Sequence, residues 1–475
     1  NLSHYDNLIH FIFFTGFPIL IFFLLLKRLY YKEVNITNIL ISNQADLYTK
    51  NNILKNIFII FFLIITINYI SIDLISNTVD YFHEGITLSA ALNYKITGLY
   101  WEGAYLSNSL FSDILSAIIP WKIFDIVSIG SYRAFHFFLK YITEIFLILF
   151  IYKLSFVYDY KKNTQNIFFI IMTMISLKLN RDLTEIFYPF RYRDIPIFIL
   201  LFLSVDFIKF DNKKLLNPFL LGFFSSISVL WSVDRGIYYF IGLLVLIFLI
   251  LIKKRFQAFA LIILGVFSSF LIIFIYFGQI EFQSFIYNTV NVLKDFDLFG
   301  GSKYPTIFES TSKHAGRGTS NLMIIILNGF LISFLFINQK LKLTNNSRLI
   351  LLFFFIISCV LYRSSLGVTD GYHMKQSIFF NKIFLILNLI FIFFHNNFLD
   401  TNNKFKFLTY IMLTLVISKD LIGINFSNVL TFKERNLLLI KKNDDAFLDQ
   451  KYIDLRNIML KNYDLKCVQL FSHDI

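Results

Sequence analysis

Long apolar runs recur along most of the chain and are separated by short polar segments. A helix needs about 20 mainly apolar residues to cross the hydrocarbon core of a bilayer, and about 17 is a practical lower bound. Twelve runs approach or reach that length, and three of them (164–180, 194–209 and 349–362) are short. The twelve runs are 8–26, 56–75, 134–152, 164–180, 194–209, 217–233, 236–252, 257–278, 321–338, 349–362, 378–395 and 407–423. The pattern predicts an all-α polytopic membrane protein with about 10–13 transmembrane helices.

Composition excludes the soluble classes of protein. Of the 475 residues, 56% are hydrophobic and 16% are charged, whereas a soluble domain carries about 45–50% apolar and about 25% charged residues. The excess apolar surface excludes a cytoplasmic enzyme, a secreted disulfide scaffold and a disordered chain. The net charge of +13 lies in short clusters such as 253–255 and forms no continuous stripe, so we expect no nucleic-acid partner.

Basic residues in the short loops predict the orientation of the chain in the membrane. One alternating set of loops, with its flanking residues, holds 19 Lys or Arg and five acidic residues, whereas the other set holds 13 basic and 15 acidic residues. Because cytoplasmic loops are enriched in Lys and Arg, the first set is predicted to be cytoplasmic. The second set then faces outward, and it begins with a long loop at 76–133. We expect a multi-pass protein of the inner (plasma) membrane with its active site on the extracytoplasmic side.

The first outer loop holds the strongest cluster of candidate catalytic residues. Asp80, His83 and Glu84 follow directly on the second apolar run. If the stretch is helical, Asp80 and Glu84 lie about 6 Å apart on one face, which suits either a general base with a raised pKa or a shared divalent cation. Glu102 and Asp113 add carboxylates for substrate binding further along the loop. The alternative is an ordinary polar outer loop with an interfacial aromatic belt.

An acid placed just after an early span, in a long first outer loop, resembles the GT-C class of membrane glycosyltransferases. The resemblance covers the layout from about 56 to 475, although a whole span at 8–26 precedes the acid here. It implies a transmembrane glycosyltransferase domain at 1–423 and a small extracytoplasmic α/β segment at 424–475, with truncation of that segment left open. Its implied partners are a polyprenyl-phosphate-linked sugar, membrane lipid, and a glycan, lipid or protein acceptor. Asp80 would be the general base of an inverting transfer.

Two further outer segments supply arginines that could hold a lipid-linked phosphate. Arg191 and Arg193 follow the Tyr188-Pro189 break just ahead of the run at 194–209, and arginine can bind phosphate through two parallel hydrogen bonds. Asp234 and Arg235 join two apolar runs with almost no loop, where ionisable groups are expensive and pair with one another or with substrate. Because neighbours at i and i+1 point apart on a helix, we expect their partners on other segments. Snorkelling and structural ion pairs are the alternatives.

The loop at 279–320 ends in a basic, glycine-containing stretch. Lys313, His314 and Arg317 precede the apolar run at 321–338, and free N–H groups at a helix N-terminus bind anions. The stretch is predicted to form an anion cradle, without the spacing of a P-loop. A flexible basic loop is the alternative.

The outer segment at 363–375 is the second-best cluster. Arg363 and Lys375 could bind phosphate or pyrophosphate, and Asp370 and His373 could orient an acceptor hydroxyl or complete a metal site with the first-loop acids Asp80 and Glu84. The sequence therefore leaves two alternatives for the cofactor, a divalent cation or no cofactor. The alternative here is a simple Asp-Gly turn.

Two rival functions remain at this point. A polysaccharide polymerase or ligase would also carry outer catalytic loops but would depend on Arg and His more than on a first-loop acid. A transporter or lipid flippase would place ionisable groups near the middle of its spans. Because the chain starts at Asn1, we expect a processed or fragmentary product.

Overall fold

The structure of the chain is a computed structural model. The described residues are 9, 12–30, 51–71, 78–80, 83–101, 106, 108–158, 161–181, 189–209, 215–299, 313–337, 343–367, 371–397 and 426–462. Within these ranges the protein is built from helices, and they contain no strand.

The helices are numbered here in chain order. They are α1 (Phe17–Tyr30), α2 (Asn52–Ser71), α3 (His83–Thr97), α4 (Ser116–Phe124), α5 (Ile129–Leu154), α6 (Lys162–Arg181), α7 (Ile195–Lys209), α8 (Leu216–Trp231), α9 (Val233–Ile252), α10 (Phe256–Phe299), α11 (Lys313–Ile337), α12 (Asn345–Leu361), α13 (Ser364–Gly367), α14 (Gly371–Ser377), α15 (Phe379–Asn397), α16 (Phe426–Leu430), α17 (Phe432–Lys441) and α18 (Gln450–Asn462). Single turns of π-helix precede α1 (Ile12–Gly16) and α4 (Phe111–Leu115), and 3-10 turns occupy Pro189–Asp194 and Asp444–Phe447.

The prediction of an all-α polytopic membrane protein is confirmed. Eleven of the twelve predicted spans overlap a helix, and the twelfth, 407–423, lies outside the described residues. Within the described ranges, six apolar stretches are long enough to cross a membrane. Five of them fall on α2, α5, α9, α10 and α11, and the sixth, Met374–Phe394, covers the end of α14 and most of α15. The helices α8 and α12 are apolar but shorter.

Close helix packing depends on small residues where two backbones meet. A Cβ added to Gly222 of α8 would lie 2.0 Å from the carbonyl oxygen of Ile262, and one added to Gly265 of α10 would lie 2.2 Å from that of Phe219. Neither distance can be accommodated without separating the helices. Small residues therefore let α8 and α10 approach as membrane helices commonly do, through van der Waals packing of their backbones.

Amide side chains link three helices inside the bundle. Asn328 of α11 donates from Nδ2 to the backbone carbonyl of Asn381 on α15 at 2.7 Å. Asn381 in turn donates to the carbonyl of Ser358 on α12 at 2.8 Å, and the Ser358 hydroxyl donates to Asn381 Oδ1 at 3.0 Å. All three residues are buried. Such hydrogen bonds satisfy polar groups that lipid could not and fix the order of the helices.

Contacts at the helix ends follow the two predicted sets of loops. Within the predicted cytoplasmic set, Lys153 pairs with Asp206 at 2.5 Å, and Lys209 donates to the carbonyl of Val157 at 2.9 Å. Within the predicted outer set, Val233 donates its amide to the carbonyl of Asn108 at 2.8 Å. The contacts thus group the loop ends as the alternation of spans requires. Which group faces the cytoplasm stays a prediction.

Three features differ from the predicted organisation. Residues 279–299, predicted as loop, continue α10 as a helix after a break at Gly278, whose backbone (φ 73°, ψ 175°) only glycine adopts readily. The helix α11 begins at Lys313 rather than at 321, so the basic stretch lies in its first turns and not ahead of it. The described part of the C-terminal segment, 426–462, is helical, and the rest of the predicted α/β segment lies outside the described residues.

Candidate functional site

Asp80 lies at the point where the chain enters α3. Its backbone carbonyl accepts hydrogen bonds from the amides of Glu84 (2.9 Å) and Gly85 (3.3 Å), and its own amide donates to Glu84 Oε2 at 3.0 Å. The Glu84 carboxylate thus returns to an amide at the start of the helix that has no partner within the helix. Asp80 is half-buried. The backbone of Asp80, the carboxylate predicted at the start of this loop, is therefore fixed by hydrogen bonds to the first turn of α3.

Glu84 is held by an arginine from the next membrane helix. Arg133 of α5 donates from Nε to Glu84 Oε1 at 2.9 Å and from Nη2 to Oε2 at 2.8 Å. The two side chains are 0% and 1% exposed. Arg133 Nη2 also donates to the carbonyl of Thr78 at 3.2 Å. One guanidinium therefore binds both the helix that follows Asp80 and the backbone that precedes it, in the bidentate geometry that arginine and carboxylate favour.

Four charged residues form a second cluster at the turn between α8 and α9. Asp234 accepts from Arg193 Nη2 at 2.8 Å and from Arg235 Nη1 at 3.0 Å. Arg235 Nε also donates to Asp194 at 2.6 Å. The prediction of partners on another segment is confirmed, because Arg193 and Asp194 belong to the 3-10 turn before α7. Asp234 and Arg235 also pair directly, which the helical spacing argued against. Asp234 lies in the first turn of α9, where its side chain can fold back over its neighbour.

The π-helical turn Phe111–Leu115 joins the two clusters. The Ser112 carbonyl accepts from Thr87 of α3 and from the Tyr192 hydroxyl, both at 3.4 Å, while its hydroxyl donates to the Trp231 carbonyl at 2.8 Å. The Phe111 and Trp231 rings stack with centroids 3.8 Å apart. The acid-bearing loop and the arginine cluster therefore belong to one connected polar layer at the end of the bundle that was predicted to face outward.

Asp113 is buried inside this layer. Its carboxylate accepts from the Asn108 amide at 2.7 Å, the Asn108 side chain at 2.8 Å and the Ser109 amide at 3.3 Å. Burial raises its pKa, against the opposing effects of these donors and of the Arg193 charge. Burial also raises the pKa of Tyr192 to about 12, which keeps its hydroxyl neutral. The role of Asp113 in substrate binding stays a prediction.

The remaining predicted residues fall into two groups. Arg363 and Arg317 are half-buried, and Lys375 is exposed on α14. Outside the described residues are Glu102, Asp370 and the side chains of His83, Arg191, Lys313, His314 and His373.

The predicted metal site combines Asp80 and Glu84 with Asp370 and His373. In the described part of the chain, no three His, Cys, Asp or Glu side chains converge as metal ligands. Two of the four proposed ligands, Asp370 and His373, are not among the described side chains, so the metal site stays a prediction. Both oxygens of Glu84 already accept hydrogen bonds from the protein.

Sequence reasoning missed Arg133, Asn108 and Ser232 as members of the layer. Ser232 accepts from Arg193 Nε at 2.9 Å and donates to Asp234 at 2.5 Å. A usable signal existed only for Arg133, because a lone arginine just ahead of an apolar run must find a partner when buried. Asn and Ser carry no such signal, since both residues are common in any outer loop.

The fold and the polar layer define the class of the protein, a helical membrane protein that crosses the bilayer several times. Comparison with protein-family models, with curated proteins and with solved structures gave no match to this chain.

Proposed function

We propose that the protein is a membrane glycosyltransferase of the GT-C type. It moves a sugar from a polyprenyl-phosphate donor to a glycan, lipid or protein acceptor on the outer face of the inner membrane. The observation that carries the proposal is the setting of Asp80. A half-buried carboxylate lies at the start of a helix that follows an apolar membrane helix, and a buried ion pair holds its backbone. Hydrogen bonds to the Ser112 carbonyl connect that helix with the segment that carries Arg193.

Asp80 is the general base of the proposed reaction. The acceptor hydroxyl oxygen forms a bond to the anomeric carbon, and the bond from that carbon to the phosphate oxygen breaks. The phosphate leaves with the electron pair, and the hydroxyl proton moves to Asp80. A base must lie within hydrogen-bond reach of the proton that it accepts, so the reaction depends on the placement of Asp80 as well as on its carboxylate. Glu84 and Arg133 supply that placement by holding the backbone on both sides of Asp80.

The arginines stabilise the departing phosphate. Arg193 and Arg235 are fixed by Asp234 and Asp194, and in the proposal Arg363 adds a further positive charge. Charges held in place before the reaction act on a developing anion without reorganising, which is commonly the largest contribution to catalysis. A divalent cation bound by Asp80 and by residues of the segment 363–375 would serve the same phosphate, and sensitivity of transfer to a chelator tests for it.

The second candidate is a polysaccharide polymerase or ligase. The observation that favours it is the arginine cluster itself, because arginines could hold a lipid pyrophosphate without help from a first-loop base. The two candidates differ in which substitution abolishes activity. In the first, loss of Asp80 is decisive, whereas in the second only the arginine changes are.

The test is transfer of labelled sugar from polyprenyl-phosphate donors in proteoliposomes. We expect Asp80→Asn to abolish transfer while the protein still inserts and remains folded. Asp125→Asn is the matched control, because Asp125 is an exposed carboxylate of the same loop whose left-handed backbone (φ 52°) asparagine adopts well. Full activity in Asp80→Asn with loss in Arg235→Lys would favour the second candidate. Absence of transfer with every donor would favour a transporter or flippase.

A further inference from the structure

The C-terminal segment lies directly against the backbone that carries Asp80. Val79, the residue before Asp80, donates its amide to the carbonyl of Phe447 at 2.7 Å. The start of α5 is bound in the same way. Ile129 donates its amide to Asp444 at 2.9 Å, and the Ser128 hydroxyl donates to the carbonyl of Ile440 at 2.9 Å. The segment thus makes polar contacts with the loop on both sides of the Glu84–Arg133 pair.

The packing beneath these hydrogen bonds is close. A Cβ added to Gly130 of α5 would lie 1.9 Å from the carbonyl oxygen of Leu439, so the two backbones meet where only glycine fits. Leu439 and Phe447 are buried in one apolar cluster with Val79 and Ile129. A weakly attached segment would not exclude water from these side chains. The contact is therefore an integral part of the fold at this point.

Phe447 reaches the ion pair that positions Asp80. Its ring is 0% exposed and lies 4.9 Å from the guanidinium carbon of Arg133. A cation over an aromatic face is attracted by the ring, and more strongly when water is excluded. A continuous series of contacts therefore runs from Phe447 to Arg133, from Arg133 to Glu84, and from Glu84 to the amide of Asp80.

The same segment also binds the end of α2. Arg435 donates to the carbonyl of Ile70 at 2.9 Å, and Asn428 donates to the carbonyl of Ser71 at 3.1 Å. The C-terminal segment thus contacts both the last residues of α2, the helix before the loop, and Val79, the residue just ahead of Asp80.

We infer that residues 426–448 form a clamp that fixes the loop carrying Asp80, and that Phe447 is a positioning residue for that acid. The role in transfer rests on the proposed function, whereas the clamp itself does not. A misplacement of about 1 Å at a reacting group can lower a rate by roughly 10²-fold, so loosening the clamp acts on turnover. Donor binding depends on the arginine cluster and is left unchanged.

The test combines hydrogen exchange with kinetics on the full-length protein in lipid nanodiscs. The variant is Phe447→Ala, and its matched control is Leu438→Ala, because Leu438 lies in the same segment but is 71% exposed. We expect faster exchange at the Val79 amide and at the start of α3 in Phe447→Ala and wild-type exchange in the control. Gly130→Ala displaces the segment from the α5 side and should give the same increase without changing the segment itself.

The kinetic readout separates positioning from general damage. We expect kcat to fall in Phe447→Ala with the KM for the donor unchanged, and both constants to stay at wild-type values in Leu438→Ala. Unchanged exchange in folded Phe447→Ala and Gly130→Ala would overturn the clamp, and faster exchange with wild-type kcat would overturn the role of Phe447 in positioning. If the wild-type protein transfers no sugar, the proposed function fails, while the exchange rates still decide whether the clamp exists.

Discussion

Replacing Glu84 by glutamine should destabilise the protein far more than the small chemical change suggests. Glutamine keeps the shape of glutamate but loses its charge and one of its two acceptor oxygens. Both oxygens of Glu84 face donors, Oε1 at 2.9 Å from Arg133 Nε and Oε2 at 2.8 Å from Arg133 Nη2 and 3.0 Å from the Asp80 amide. In either orientation, therefore, the amide NH₂ of the glutamine faces a donor N–H.

The size of the effect follows from burial. Arg133 is 0% exposed, so Glu84→Gln leaves a full positive charge in a site that water does not reach. Breaking a buried ion pair on one side costs about 3–5 kcal/mol, because the remaining charge loses its compensation. Removing both charges together costs much less. The double variant Glu84→Gln/Arg133→Gln should therefore recover most of the free energy of unfolding that the single variant loses.

The assay is unfolding of the purified protein in detergent, by temperature and by denaturant. Asp445→Asn is the control, because it makes the same carboxylate-to-amide change in a pair with Arg456 whose side chains are 36% and 43% exposed. Pairs of that kind contribute little to stability, so we expect no measurable change in the control. A Glu84→Gln protein as stable as the control, or a double variant no more stable than the single one, would refute this reasoning.

Two further predictions concern the glycine contact and the buried aspartate. Gly222→Ala should lower the unfolding temperature, because overpacking costs about 1–3 kcal/mol. Gly85→Ala is the control, since nothing lies within 4 Å of its added Cβ, and it should leave the unfolding temperature unchanged or raise it. Equal effects of the two substitutions would contradict the close crossing of α8 and α10. Because burial raises the Asp113 pKa above 3.8, the protonated form favours folding, and this contribution is lost as the pH rises from about 4 through the raised pKa. Asp113→Asn has no carboxyl group to titrate, so the free energy of unfolding of the wild type relative to that of the variant should fall over the same pH range. A free-energy difference that does not change with pH would contradict the prediction.

The spans were predictable from the sequence because their cause is local. A run of about 20 apolar residues can be satisfied in lipid only as a helix, so α2, α5, α9, α11 and α15 followed from length and composition alone. The extent of α10 was not predictable in the same way. Polar residues after Gly278 resemble a loop, yet Asn288 exchanges hydrogen bonds with the backbone of Leu106, and Phe285 packs into the loop at 76–133 that was predicted to face outward. Tertiary contacts decided the structure of that stretch.

In the candidate site, too, features with a local cause were predictable and long-range contacts were not. The position of Asp80 just after a span could be seen in the sequence, and so could the expense of Asp234 and Arg235 at a membrane boundary. The partner of Glu84 could not, because Arg133 is 49 residues away along the chain and no local pattern connects the two. Nor did any local feature of the C-terminal segment indicate that Phe447 would lie against Arg133. Long-range partners are fixed by the way the helices pack, which a single sequence does not reveal.

The buried ion pairs of the polar layer suit the proposed enzyme better than a transporter. A transporter must break and remake contacts between its helices as the site opens to one side and then the other. Here the contacts between segments at the candidate site are buried ion pairs, Glu84 with Arg133 and Asp194 with Arg235, and separating either pair would strand charges away from water. A catalytic site gains from such rigidity, because charges fixed before the reaction stabilise its transition state without moving. The ion pairs of the polar layer hold its charged groups in fixed positions, and the proposed transfer of sugar requires such preorganised charges.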